Sequence, residues 1–241
     1  MNVGLLAAIL LGGILSGATA AISGFGIGSL LTPLLAARYG MPLAVAAVSI
    51  PHAIATAVRC WRLRRSIDWP VLRSFGLFSA VGGLSGALLY SRFDAVMLTR
   101  ILGALLIATA IAAVTEWVSR LRPRGVAAHA LGFVSGFFGG IAGNQGGLRA
   151  GALMAFRLTP VALVATATAT GLAVDAARMP VYLWTTGREL LPLAAPIGVA
   201  TAGVLIGTFV GERLLLGLSA RAFRIVAGTF IGMLGVWLLL S

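Results

Sequence analysis

The chain has no lysine, one cysteine, two histidines and six acidic residues among 241. Each shortage removes a class of function. A single Cys60 closes no intrachain disulfide and supplies no Cys-rich metal site. The acids, Asp68, Asp94, Glu116, Asp175, Glu189 and Glu212, are dispersed along the sequence. No pair of them is spaced for general acid–base work, and no cluster suits a metal. No nucleophile stands with a base, and the glycine spacings lack the strand–helix–strand setting of a dinucleotide fingerprint. These absences argue against an enzyme and against any cofactor or metal.

Charge is scarce as well. Only 10% of residues are charged, against roughly 25% in a soluble domain. Hydrophobic residues make up 59%, and mean hydropathy is +1.03. The net charge of +12 comes entirely from arginine. A nucleic-acid partner would need a continuous basic face. Here the arginines fall mostly at the ends of apolar runs, where positive-inside topology and headgroup anchoring place them. The bilayer, not nucleic acid, is the expected partner.

What the chain does have is recurrent greasy segments, at about 3–22, 28–38, 43–59, 70–90, 97–117, 126–142, 148–158, 161–181, 190–212 and 222–240. A spanning helix takes about 20 residues. The expected fold is therefore an all-α polytopic membrane protein, with about eight transmembrane helices and two half-length broken segments. Met1 to Ala21 lacks a basic leader region, so it is expected to be a first span rather than a cleaved signal. The expected location is the bacterial inner membrane, with the chain crossing several times. A homo-oligomer is left open.

The two short runs, 28–38 and 148–158, each cover only ~17 Å as helix, roughly half the hydrocarbon core. Glycine-rich stretches precede them, SGFGIG (23–28) and AGNQGG (142–147). An Arg and then a Pro follow each, Arg38 with Pro42 and Arg157 with Pro160. One offset of 119 pairs Gly24 with Gly143, Gly28 with Gly147, Arg38 with Arg157 and Arg59 with Arg178. With small gaps, Gly82, Gly86 and Arg92 match Gly203, Gly207 and Arg213. The chain is expected to be two repeats, 1–120 and 125–241, joined by SRLRPRG. RCWRLRRS (59–66) and SRLRPRG (119–125) carry four and three arginines and are expected on the cytoplasmic side. Re-entrant short segments would make the repeats parallel, whereas crossing ones would invert them. Three arginines at 213–224 against two around 178–188 lean toward inversion.

Non-helical backbone at membrane depth is tolerated only when buried in protein or lining a water-filled cavity. Interrupted segments at matching places of two repeats point to a transporter's central site. Glycine lets backbone N–H groups approach a ligand, and the half-helix behind it aims a partial positive charge at the same point. Gly24, Gly26 and Gly28 on one side, with Gly143, Gly146 and Gly147 on the other, are the candidate backbone cradle. Close helix packing is the other use of glycine, and Gly82, Gly86, Gly203 and Gly207 are expected to serve that.

Only the second copy adds polar side chains. Asn144 and Gln145 are candidate hydrogen-bonding groups and Arg149 the candidate charge partner. A buried Arg costs at least ~2.5 kcal/mol on an insertion scale, and its planar fork suits an oxyanion. The competing reading has Arg149 snorkelling to an interface or pairing with a carboxylate. Among candidate ligand groups, His52 lies mid-span after Pro51; it could carry a proton or simply bond a neighbouring helix carbonyl. Ser49 and Thr168, at matching positions of the two copies, are a further candidate pair. Asp175 could carry a proton, or form a local ion pair with Arg178 three residues on.

These stretches carry a resemblance. SGATAAISGFGIGSLLTPLLA, RCWRLRRSIDW and GGIAGNQGGLRAGAL resemble the two copies of the repeat in the sulfite exporter TauE/SafE family of bacterial and archaeal membrane transporters. SGFGIGS has fewer glycines than that family's usual G-x-G-G-G. The resemblance implies secondary transport, by export with import as the alternative, of a small sulfur-containing anion such as sulfite or an organosulfonate. The alternatives are a passive small-anion channel and a non-transporting membrane subunit.

Overall fold

A computed structural model describes residues 3–23, 26–115, 125–143, 146–156, 158–214 and 220–240. No strand occurs among them. The helices are α1 (Val3–Ser23), α2 (Ile27–Tyr39), α3 (Met41–Leu63), α4 (Trp69–Tyr90), α5 (Ala95–Thr115), α6 (Val126–Ala142), α7 (Gly146–Met154), α8 (Pro160–Leu190), α9 (Ala194–Leu214) and α10 (Ala220–Leu240). One wide turn, Leu72–Gly76, interrupts α4. Among the described residues, four stretches are long and apolar enough to cross a bilayer: Val3–Ala21, Met41–Ser66, Trp69–Tyr90 and Val161–Gly211. The outward face of α4 exposes Leu77, Phe78, Val81, Leu84 and Leu88. An apolar face of this kind belongs against lipid tails. The chain is a membrane protein.

The two short helices are present, with 13 and 9 residues. Gly26 precedes α2 at φ 137° and Gly40 closes it at φ 80°, backbone that side-chain-bearing residues rarely adopt. α7 stops at Met154, short of the expected limit at 158. The next helix begins at Pro160: Thr159 Oγ1 accepts from the Ala162 amide at 3.3 Å, and Pro160 takes the first helical position.

Two other boundaries differ from expectation, and for one reason. α3 runs on to Leu63 and α8 to Leu190, so Arg59 and Arg178 lie inside helices rather than at the ends of spans. Both are buried, at 3% and 1% exposure. Arg59 is thus not a residue of the basic loop that begins after α3. Hydropathy treats an arginine as a boundary; a partner inside the protein removes the need for one.

Glycine rows set the helix pairing. α2 folds back along α1, with Gly26 against Thr19 and Ala20, and Gly12 against Leu31 and Leu34. α1 runs parallel to α9: Gly13 and Gly17 lie on Ala200, Gly203, Val204 and Thr208, while Gly207 and Gly211 meet Ile14 and Ala18. α4 runs parallel to α6 in the same manner, Gly82 and Gly86 against Phe133 and Phe137, and Gly132 and Gly136 against Phe75 and Ser79. A Cβ at Gly82, Gly86, Gly203 or Gly207 would run into facing backbone, so these four serve close packing, as expected. α5 and α10 are antiparallel, Gly103 meeting Gly235 and Leu239 while Gly232 meets Ala110. In the middle α3 crosses α8 antiparallel, and α8 also lies along α4.

Candidate functional site

Where α3 crosses α8 the apolar interior gives way to charge. His52, one residue after Pro51 on α3, donates from Nδ1 to Asp175 Oδ2 on α8 at 2.6 Å. The other oxygen, Oδ1, accepts from Arg178 Nε at 3.0 Å and pairs with Nη2 at 2.8 Å. The local Asp175–Arg178 pair expected from the spacing is therefore formed, but within a larger cluster. Arg178 Nη1 donates to the Gly139 carbonyl at 2.5 Å, and the Tyr182 hydroxyl donates to the Gly140 carbonyl. Tyr182 stacks edge-on against Tyr90 with centroids 4.9 Å apart. Two helical turns toward the α3 C-terminus, Arg59 Nη2 donates to Thr168 Oγ1 at 3.3 Å.

These bonds explain how a helix can stop here. α6 ends at Ala142, and the last carbonyls of a helix lack intrahelical partners. In a membrane interior such orphans are tolerated only if something else satisfies them. Gly143 turns left-handed at φ 70°, and its amide donates to the Gly139 carbonyl at 3.0 Å. Arg178 and Tyr182 reach across from α8 to the carbonyls of Gly139 and Gly140. Gly143 itself faces Val45 and Thr32 of the first half.

A further buried arginine, Arg149, lies on α7. It is 1% exposed, so it does not snorkel, and its Nε and Nη1 have no hydrogen-bond partner. The guanidinium lies against α8 at Gly171, where a Cβ would come within 2.8 Å of Nη1 and 3.1 Å of Cζ. Asp175, Arg59 and Arg178 are within electrostatic reach, but both Asp175 oxygens are already engaged by His52 and Arg178. Burying a cation costs several kcal/mol unless its donors are satisfied. Here two donors meet no acceptor among the described residues.

The other candidates are scattered around this centre. Gly26 precedes α2 and packs on α1 of its own half, Gly28 sits buried in the first turn of α2, and Gly146 and Gly147 open α7. Ser49 Oγ donates to the Ala46 carbonyl of its own helix at 2.6 Å, while Thr168 serves Arg59. Gly24, Asn144 and Gln145 lie outside the described residues. Sequence reasoning missed Tyr182 and Gly171 altogether, and it did not place Arg59 or Arg178 among the functional groups. A signal for the two arginines existed, since they are matched across the repeat at an offset of 119.

The sulfite exporter TauE/SafE family model matches residues 9–238. The chain belongs to this family. No curated protein and no solved structure matches it. Membership of the TauE/SafE family, with the apolar helices, makes the chain a membrane transporter.

In this TauE/SafE protein Gly171 is the seat of Arg149, a buried arginine with two nitrogens unbonded among the described residues. Alanine is better than glycine in a helix by about 1 kcal/mol, so Gly171→Ala is expected to fold. Its methyl would push the Arg149 guanidinium off the α8 backbone. The expected result is a several-fold weaker apparent affinity for the transported anion with unchanged thermal stability, read from uptake against concentration. An unchanged affinity would show that Arg149 does not depend on this seat.

Proposed function

We propose that the chain is a secondary transporter exporting a small sulfur-containing anion, such as sulfite or an organosulfonate, across the bacterial inner membrane. One observation carries this reading: Arg149 is sealed from solvent with Nε and Nη1 unbonded. A planar cation with open donors in a low-dielectric interior is a receptor for an oxyanion. Asn144 and Gln145 hydrogen-bond the anion from the break before α7, and Gly143, Gly146 and Gly147 let backbone approach it. Gly24, Gly26 and Gly28 close the other side, and Ser49 and Thr168 line the α3–α8 crossing. His52 and Asp175 are the proton-handling pair.

The test is an uptake panel in proteoliposomes with sulfite, thiosulfate, sulfoacetate, taurine, sulfate and chloride. Saturable movement of a sulfur anion supports the proposal. Movement of chloride alone, or of no anion, overturns it. Single-channel conductance far above transporter turnover would instead establish the channel alternative.

The two halves are further proposed to be inverted copies. Supporting this, matched helices run antiparallel where they meet, α3 on α8 and α5 on α10, and the crossed pairs α1–α9 and α4–α6 correspond under exchange of halves. Arg92 and Arg213 are matched and exposed. Cysteines placed there in a Cys60→Ala background should label from opposite sides of the membrane. Labelling from the same side would mean parallel repeats.

A further inference from the structure

The pairing of His52 with Asp175 has no need of the anion, yet it sits beside the group proposed to bind one. Among the described residues, the charged groups within electrostatic reach of His52 are Asp175 and Arg178 from α8 and Arg149 from α7. Thr56 Oγ1, on its own helix, lies 3.5 Å from Nδ1. Arg59, two turns further along α3, is turned to Thr168. Tyr90 and Tyr182 pack on the Arg178 side of the cluster. Asp175 and Arg178 are sealed, each side chain 1% exposed, whereas a tenth of the His52 side chain is open. Of these cluster members, His52 is the most exposed. Nδ1 is committed to Asp175, so the nitrogen left to accept a proton is Nε2.

A buried site penalises net charge. Going from a singly to a doubly charged anion at Arg149 adds one negative charge to that site. Arg149 and Arg178 are already cationic and Asp175 is locked between two donors, which leaves the imidazole as the group able to answer with a positive charge near neutral pH.

We propose that a dianion bound at Arg149 brings one proton onto His52 Nε2, whereas a monoanion brings none, so that the species carried has one net negative charge in either case. No bond breaks: one proton leaves solution and one N–H forms. Linkage makes the effect reciprocal, because a protonated His52 must favour the dianion as much as the dianion favours the proton. The inference rests on the anion site proposed for Arg149.

Thiosulfate and methanesulfonate are nearly the same shape and differ by one charge at neutral pH, so they isolate the point. The purified chain in detergent is titrated with each in weak buffer near pH 8, with a pH indicator reporting proton uptake. The expected result is close to one proton taken up per thiosulfate bound and close to none per methanesulfonate. Thiosulfate affinity should fall by up to tenfold per pH unit as pH rises, with a flat profile for methanesulfonate. His52→Gln should abolish the thiosulfate-linked uptake and lower the thiosulfate-to-methanesulfonate affinity ratio at least tenfold. If that variant does not fold, the wild-type proton counts and pH profiles decide alone. Equal proton counts for the two anions, or an uptake that survives in His52→Gln, overturns the coupling while leaving the anion site standing. Binding of neither anion by wild type overturns both.

Discussion

Arg149→Gln is expected to weaken the apparent anion affinity in proteoliposome uptake roughly 30- to 150-fold while leaving the protein at least as stable as wild type. The two halves of that result have different causes. A hydrogen bond to a charged group contributes about 1.5–3 kcal/mol, and an arginine with unbonded Nε and Nη1 has such bonds to offer an oxyanion. Losing about 2–3 kcal/mol corresponds to the stated loss of affinity. Stability moves the other way. In the empty protein the guanidinium is a sealed cation whose neighbouring carboxylate already serves His52 and Arg178. A neutral amide of shorter reach relieves that desolvation. Uptake with the wild-type apparent affinity would remove Arg149 from the site, and a large fall in melting temperature would make it a structural residue.

Arg178→Gln should give the opposite signature. This guanidinium holds Asp175 by two nitrogens and the Gly139 carbonyl by a third. Removing one partner of a buried pair costs about 3–5 kcal/mol, because the other charge stays behind unpaired. In a chain of this size that is a fall of at least about 6 °C in melting temperature, measured on purified protein in detergent. Adding Asp175→Asn should recover part of the loss, since the stranded carboxylate goes with it. A single variant that melts within about 2 °C of wild type would show that the pair does not hold the crossing together.

The halves of the site differ in how visible they were beforehand. The breaks at Gly26 and Gly143 were legible because glycine runs before half-length apolar segments have few other uses at membrane depth. Arg149 was legible because an arginine three residues into an apolar helix is costly wherever it points. Arg59 was misplaced by the same logic: at the far end of an apolar run an arginine looks like an interface anchor, and only the facing helix shows otherwise. Asp175–Arg178 was readable as a spacing, but its link to His52 spans 123 residues and depends on how α3 crosses α8. Tyr182 and Gly171 gave no local sign. One acts by reaching a carbonyl on another helix and the other by the absence of a side chain under Arg149.

The glycine seams bear on how the molecule is made. Gly13 and Gly17 on α1 fit against α9, nearly two hundred residues later in the chain. During synthesis that small-residue face has no permanent neighbour until almost all of the polypeptide has left the ribosome. α4, by contrast, meets α6 after only a short delay. Assembly should therefore begin around the α4–α6 seam and finish when α9 slots beside α1. A chain arrested before residue 194 would be left with an open groove along its first helix, a mark that quality-control proteases in the membrane could recognise.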